Sequence, residues 1–269
     1  MGPRISDIKQ YDKIIKISYS LIFGLKYIYA PAFTKAVLPL SQGRYSFSYN
    51  KNTIFESYDF ANTILEFNNL KNFDQYLEDA EDLVKHLSLL TVNSSIQLSN
   101  GLFQFALLHE YSHFFLGHKH DELYSDLALQ ELEADTLAHS FIQAYIIKSY
   151  SKVFFGENKK TEDISGIIMY AMSPVIFSFL IAIESIKKYG KKHCIKGYPH
   201  PLLRFLYNMH ILVEQYKNTH LEYQLQQHLR ILTTVFSSIL LKYDVSIEDV
   251  NIYSAKIQKL KIKVDYITH

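Results

Sequence analysis

The spacing of apolar and polar residues separates the chain into an amino-terminal part of mixed pattern and a longer part of helical pattern. Tyr45, Phe47 and Tyr49 alternate with polar residues ahead of a turn at residues 50–52, and apolar residues resume after that turn. Alternation on both sides of a turn is typical of two paired antiparallel strands. The pattern therefore predicts a β-hairpin over residues 44–60.

Apolar residues in most of the remaining chain recur at the three- and four-residue spacing of a helix that buries one face. This spacing predicts helices over residues 7–29 and 74–90, and in almost every segment from residue 102 onward. Two short stretches between these helices are predicted as strands, and the second of them is expected to be an exposed edge: residues 62–67 and 91–99.

Together these elements predict an α+β fold that is mostly α. An amino-terminal α/β part with a small antiparallel sheet, residues 1–98, precedes a helical part, residues 99–269. At 269 residues with 48% hydrophobic content, the chain is long enough to bury one sizeable core. We therefore expect a single domain, residues 1–269.

Charge and cysteine content exclude several classes of protein. Lysine and arginine number 28 and aspartate and glutamate 27, so no bulk field attracts nucleic acid or an anionic membrane surface. The single cysteine, Cys194, cannot form an internal disulfide, which agrees with a cytoplasmic location.

The apolar stretch at residues 167–183 approaches the length of a membrane-spanning helix, but Pro174 interrupts it. We predict a buried core helix there, with a membrane segment as the alternative.

Two histidines and a glutamate interrupt an otherwise apolar run, "LLHEYSHFFLGH" at residues 107–118. At about 100° per residue, His109 and His113 lie one turn apart on the same helix face, so both imidazoles can reach one metal ion. Glu110 is turned by about 100° from His109, where its carboxylate can take a proton from a water beside the metal. This is the arrangement of zinc hydrolases, but two histidines alone do not make a zinc site, so a third ligand is required.

Three residues compete to be the third ligand: His118, Glu131 and Glu133. His118 is rejected, because on a continuing helix it would point about 180° from His109. Glu131 and Asp135 share a helix face at i, i+4, whereas Glu133 is turned by about 160° from Glu131 and is expected to face elsewhere. Glu131 is the predicted ligand, and Asp135 is predicted to accept from the outer N–H of a ligand histidine. The alternative is that these acidic residues form a solvated helix face.

The motifs "HEYSHFFLGH", "ELEADTLA" and "PHPLLR" resemble, in that order, a family of bacterial HExxH zinc metallopeptidases, the Lit-like phage exclusion proteins. The resemblance covers about residues 100–206. The second motif is also similar to the ExxxD signature of CAAX-prenyl and heat-shock zinc endopeptidases, in which the first glutamate is the third ligand. The resemblance implies a zincin-like catalytic body at residues 99–269 and a zinc ion on His109, His113 and Glu131.

The third motif supplies His200, Pro201 and Arg204, which match a His-Pro followed by arginine in both families. His200, held by Pro201, is predicted to donate a hydrogen bond to the oxyanion of the transition state, and Arg204 to support a nearby carboxylate. The alternative is a structural loop histidine and an arginine in a surface ion pair.

These observations predict a zinc-dependent metalloendopeptidase in which His109, His113 and Glu131 hold Zn²⁺ and Glu110 acts as general base. The substrate is expected to be a protein or peptide, with residues 91–99 as the nearest candidate edge for an added substrate strand. The family resemblance implies phage defence or toxin-like cleavage of a host translation factor after an activating trigger. Two alternatives stay open: a membrane-associated heat-shock or CAAX-type protease, and a non-catalytic module whose zinc only stabilises the fold.

Overall fold

The computed structural model describes the backbone of residues 4–8, 12–16, 89–118, 124–154, 161–189 and 199–242. Its elements, in chain order, are two strands and six helices: β1 (Arg4–Ile8), β2 (Asp12–Lys16), α1 (Leu89–Phe115), α2 (Tyr124–Phe154), α3 (Thr161–Ala171), α4 (Ser173–Tyr189), α5 (Pro201–Tyr216) and α6 (Glu222–Lys242). β1 and β2 pair antiparallel, with Ser6 opposite Ile14.

The predicted α+β fold class is wrong for the described part of the chain. From Leu89 onward every described element is a helix. The two strands, β1 and β2, do not belong to the predicted sheet, because β2 and the end of β1 lie within residues 7–29, where we predicted a helix. The predicted hairpin at 44–60, the strand at 62–67 and nearly all of the helix at 74–90 fall outside the described residues.

The strand predicted over residues 91–99 is also wrong, because this segment forms the first turns of α1. Ser94, Ser95 and Ser99 are buried beside Leu98, whereas Ile96 is 51% exposed. Because these core-facing positions carry polar serines, the sequence does not show the apolar spacing of a buried helix face. The remaining apolar residues then resemble the alternating pattern of a strand. The segment therefore offers no free strand edge to a substrate, and the boundary placed between residues 98 and 99 falls inside one helix.

Gly101 shows why α1 can pass so close to the break between α3 and α4. A Cβ atom added at this position would lie 2.6 Å from Ser173 Oγ and 3.0 Å from the Tyr170 carbonyl oxygen. Only glycine leaves room for this approach without a shift of the neighbouring helices. Gly101 therefore lies inside α1 as a point of close contact between helices.

The apolar stretch at residues 167–183 forms the end of α3 and most of α4. Its side chains are almost entirely buried in the helical body, as predicted for a core segment. Pro174 follows the break between the two helices, which meet at 45°. Within the described residues no single helix has the length and apolar content to cross a membrane, although the bent pair Ile164–Ala171 and Ser173–Ala182 passes that test by length and composition.

The helices that carry the predicted site pack around a large apolar cluster. A smaller cluster lies between α2 and α5: Leu132, Tyr207 and Ile211. α1 packs on α2, α3 and α4, while α5 packs on α2 and α4. Phe105, fully buried on α1, makes edge-to-face ring contacts with His139 of α2 and Phe177 of α4. Because Phe105 precedes His109 by one helical turn, this core lies directly beside the polar cluster that α1, α2 and α5 share.

Candidate metal centre

The HExxH motif places two imidazoles together on α1. His109 and His113 lie one turn apart, and their Nε2 atoms are separated by 3.1 Å. The rings are perpendicular, with centroids 4.7 Å apart, and His109 is buried. Two ring nitrogens at this distance can share one metal ion, as the spacing predicted.

Glu131 on α2 completes a group of three donors. Its Oε2 atom lies 3.3 Å from His109 Nε2, and its Oε1 atom lies 3.4 Å from His113 Nε2. Zinc bonds of about 2.0 to 2.1 Å in a tetrahedron set ligand atoms roughly 3.3 Å apart. The three separations thus match the edges of one face of such a tetrahedron, and the same three residues form the one candidate metal group found in the described chain.

Asp135 lies behind His109, on the side away from Glu131. Its Oδ1 atom is 2.8 Å from His109 Nδ1, so the ring can donate its outer N–H to this carboxylate and leave Nε2 unprotonated. Asp135 is fully buried, and it also accepts from Arg204 Nε and from Asn208 Nδ2, at 2.8 and 2.9 Å. Asp135 therefore has the position that the sequence predicted for it.

Arg204 on α5 joins the two carboxylates of α2. One of its terminal nitrogens donates to Asp135 Oδ1 at 2.7 Å, and the other lies 3.3 Å from Glu131 Oε2. The guanidinium is buried, so the alternative of a surface ion pair does not describe it. A fork of this kind fixes the planes of both carboxylates at once, which agrees with the predicted supporting role.

His200 serves as the amino-terminal cap of α5. Its Nδ1 atom accepts a hydrogen bond from the backbone N–H of Leu202 at 3.2 Å, ahead of Pro201 in the first turn. Its carbonyl oxygen accepts from the N–H of Arg204. This cap fixes where α5 begins and hence where Arg204 lies, whereas the proposed contact with an oxyanion stays a prediction.

His118, which the sequence pattern excluded as a ligand, contacts the outer ring nitrogen of His113. Helix α1 ends at Phe115, and Gly117 has a positive φ of 70°. The N–H of His118 bonds the carbonyl of His113, and the N–H of Gly117 bonds that of Phe114, the pattern of a Schellman turn. This turn folds the His118 ring back, so that its Nδ1 atom lies 2.8 Å from His113 Nδ1.

Glu133 completes this second support. Its Oε2 atom lies 3.2 Å from His118 Nε2. Glu133 is not one of the three candidate donors, as expected from its turn away from Glu131. Its carboxylate is nevertheless connected to His113 by two hydrogen bonds that run through His118. The predicted direction of the His118 side chain, about 180° from His109, applies only to a continuing helix. Gly117 in the left-handed conformation ends the helix first, so the prediction does not apply.

Burial dominates the electrostatics of Glu110. It raises the pKa of this carboxyl above its ordinary value, while the neighbouring charges of His109 and His113 oppose the shift. A raised pKa brings the carboxyl closer to the range in which it can exchange protons near neutral pH, while its role as a general base stays a prediction. A divalent cation beside it would favour the ionised form.

The ligand residues perturb each other strongly. Burial and the Arg204 charge lower the pKa of His109, but hydrogen bonds to Asp135 and Glu131 outweigh them and raise it to about 9. For Glu131, burial alone would raise the pKa, yet the hydrogen bonds with His109 and His113 hold it well below its ordinary value. Without metal, a proton on His109 therefore balances part of the negative charge in the cluster.

The charges of the cluster fit a divalent cation. Metal binding requires unprotonated ring nitrogens, and once the carboxylates of Glu110, Glu131 and Asp135 are all ionised, the guanidinium of Arg204 would leave two negative charges in this largely buried cluster. Buried charge of this size is costly unless it is paired. One Zn²⁺ would neutralise it, and the donor set of two imidazoles and one carboxylate is one that zinc accepts.

Two further residues extend the cluster and were missed by the sequence reading. His139 Nε2 lies 2.7 Å from Asn208 Oδ1, and Asn208 Nδ2 donates to Asp135. Burial lowers the pKa of His139 to about 4, so this ring is neutral. The sequence does contain a signal for them. His139 follows Asp135 by four residues on α2, and Asn208 follows Arg204 by four residues on α5, so each lies on the helix face already assigned to the site.

Comparisons with protein-family models, with curated proteins and with solved structures found no match to this chain. The resemblance to the phage exclusion family therefore rests on the three motifs alone.

Proposed function

We propose that the protein is a zinc-dependent metallopeptidase that hydrolyses a peptide bond in a protein substrate. The observation that carries the proposal is the set of three separations, 3.1, 3.3 and 3.4 Å, among His109 Nε2, His113 Nε2 and the Glu131 carboxylate oxygens. They suit one tetrahedral zinc ion, and among the described residues only these three join the group, as in catalytic zinc sites that keep the fourth position for water or substrate.

The roles of the other residues follow from their contacts. A zinc ion held here would polarise the substrate carbonyl and make water a better nucleophile. Glu110, adjacent to His109 in sequence and within the field of both ligand histidines, would accept the proton of the attacking water and return it to the leaving amine. Asp135 and Arg204 would hold His109 and Glu131 in place throughout.

The proposed biological role comes from the resemblance alone. It is the cleavage of a host protein, such as a translation factor, in phage defence or in a toxin-like response, and it includes a trigger that activates the protease. A latent enzyme would be silent against generic substrates, so the first test should measure the metal and not turnover.

The first experiment measures zinc per chain by mass spectrometry after purification and after reconstitution. We expect about one zinc per chain for the wild type and for Glu214→Gln, an exposed carboxylate on α5. We expect loss of zinc for Glu131→Gln, because the amide is a poor replacement for a carboxylate ligand. A wild type without zinc after reconstitution, or a Glu131→Gln variant that keeps it, would overturn the assigned site.

The second experiment separates catalysis from a zinc that only stabilises the fold. Glu110→Gln retains the three donors but removes the general base. Wild type and variant are expressed in a bacterial host, with phage infection as the proposed trigger, and new protein amino termini are compared across the proteome before and after infection. We expect new termini with the wild type only, and equal zinc in both proteins. Equal sets of termini from two zinc-loaded proteins would support the stabilising role instead.

A further inference from the structure

The second ligand histidine, His113, is backed by another histidine and not directly by a carboxylate. His113 Nδ1 lies 2.8 Å from His118 Nδ1, and His118 Nε2 lies 3.2 Å from Glu133 Oε2. Of the two atoms that meet in each contact, one must donate and the other must accept. The donor and the acceptor in both hydrogen bonds follow from the outermost partner, Glu133.

Glu133 decides the direction of both hydrogen bonds. An ionised carboxylate only accepts, so the hydrogen on a neutral His118 ring must lie on Nε2, facing Glu133. Nδ1 of His118 is then unprotonated and can only accept. It follows that His113 donates its Nδ1–H to His118, which leaves Nε2 of His113, the nitrogen that faces His109 and Glu131, as the one that would bind a metal ion.

We propose that His118 and Glu133 are positioning residues that hold His113 in its metal-binding tautomer and orientation. The inference rests on the zinc site of the proposed function but concerns residues outside the ligand set. Glu133, with a 41% exposed side chain, would anchor His118 from the surface, and the Schellman turn at Gly117 would hold the ring in place. The ligand His113 is thereby linked to solvent through two hydrogen bonds.

The test measures zinc affinity by competition with a chelator, in wild type, His118→Leu, His118→Asn and Glu133→Gln. Loss of a supporting partner behind a ligand histidine typically lowers metal affinity by about 10- to 100-fold, and we expect this range for His118→Leu. His118→Asn can still present an oxygen near the Nδ1 position, so it should recover most of the loss. Glu133→Gln can still accept through its amide oxygen, so its effect should stay below about tenfold.

Two controls distinguish positioning from general damage. The unfolding midpoint of metal-free His118→Leu should stay near that of the wild type, because the ring is not part of the apolar core. In zinc-loaded protein with ¹⁵N-labelled histidine, a scalar coupling across the N–H···N bond should join His113 and His118. This coupling depends on the hydrogen bond itself and is independent of activity.

The outcomes separate this inference from the proposed function. A wild type that binds no zinc would overturn both. A wild type that binds zinc, together with a His118→Leu variant of equal affinity or with no coupling between the two rings, would overturn the positioning role and leave the zinc site intact. If His118→Leu fails to fold, His118→Asn and the coupling in the wild type decide the question.

Discussion

The two candidate ligand histidines of α1 are supported in contrasting ways. His109 donates to Asp135, which is 0% exposed and held by the forked guanidinium of Arg204 and by Asn208. His113 meets His118, whose other nitrogen reaches Glu133, a side chain that is 41% exposed. One histidine is fixed from the core by buried charged groups, and the other is fixed from the surface through a second imidazole ring.

This difference indicates a division of labour within one site. Charged groups without water interact strongly, and the loss of one partner leaves the other buried and unpaired. A carboxylate at the surface is screened, and its loss is compensated by water. The His109 side should therefore determine whether the folded site exists at all, while the His113 side should tune how well it binds metal.

The largest expected effect comes from breaking the buried side. Asp135→Asn removes the charge that pairs with Arg204 and replaces the charged acceptor of His109 with a neutral amide oxygen, and we expect the metal-free protein to lose about 3–5 kcal/mol of unfolding free energy. Glu133→Gln is the matched change on the exposed side, with an expected loss below about 1 kcal/mol. Denaturant unfolding followed by circular dichroism measures both. Equal losses would erase the proposed contrast.

The next effect is a dependence on pH that arises from His109. Its raised pKa, about 9, means that a bound proton stabilises the metal-free fold fully below the ordinary pKa near 6.5 and that this stabilisation disappears as pH rises through 9. Zinc competes with that proton, so its apparent affinity should rise about tenfold per pH unit over the same window.

Opposite trends should therefore appear in two measurements between pH 6.5 and 9. The unfolding free energy of the metal-free protein should fall, and the zinc affinity in chelator competition should rise. An affinity that stays flat between pH 6 and 8 would show that His109 is already deprotonated without metal, and would weaken the role assigned to Asp135.

The smallest effect tests the turn on the exposed side. Gly117→Ala places a side chain at a φ of 70°, where a non-glycine residue costs about 1–2 kcal/mol, although no atom lies within 4 Å of the added Cβ. Part of the cost should appear as weaker zinc binding, because the turn places His118. Gly117→Asn, which tolerates this conformation, should lie closer to the wild type. Thermal unfolding and zinc titration of the three proteins check the order, and an alanine variant equal to wild type in both would contradict it.

The sequence was most informative where helix geometry alone determines proximity. The spacing of His109 to His113, and of Glu131 to Asp135, placed four side chains correctly, because each pair lies on one helix. It was misleading where a local event changed the geometry. The glycine that ends α1 brought His118 back to the site, and buried serines concealed the helical character of residues 91–99.

Contacts between distant helices could not be obtained from spacing. The bond between His139 and Asn208 joins residues 69 positions apart, and nothing in the pattern of either helix specifies the other as its partner. The bonds from Arg204 to Asp135 were anticipated only as support for a nearby carboxylate, without indication of which one. The wrong fold class has a related cause, since an alternating pattern does not reveal whether a segment has a strand to pair with.

The three donors and their supporters also differ in when they can come together during folding. His109, His113 and Glu131 belong to two consecutive helices, whereas Arg204 and Asn208 lie 69 and 73 positions from Asp135. Closing the shorter loop costs less chain entropy, so the donors can meet before α5 has docked. Zinc would then be captured by a partly folded chain, and the arrival of α5 would convert a loosely held ion into an ordered centre.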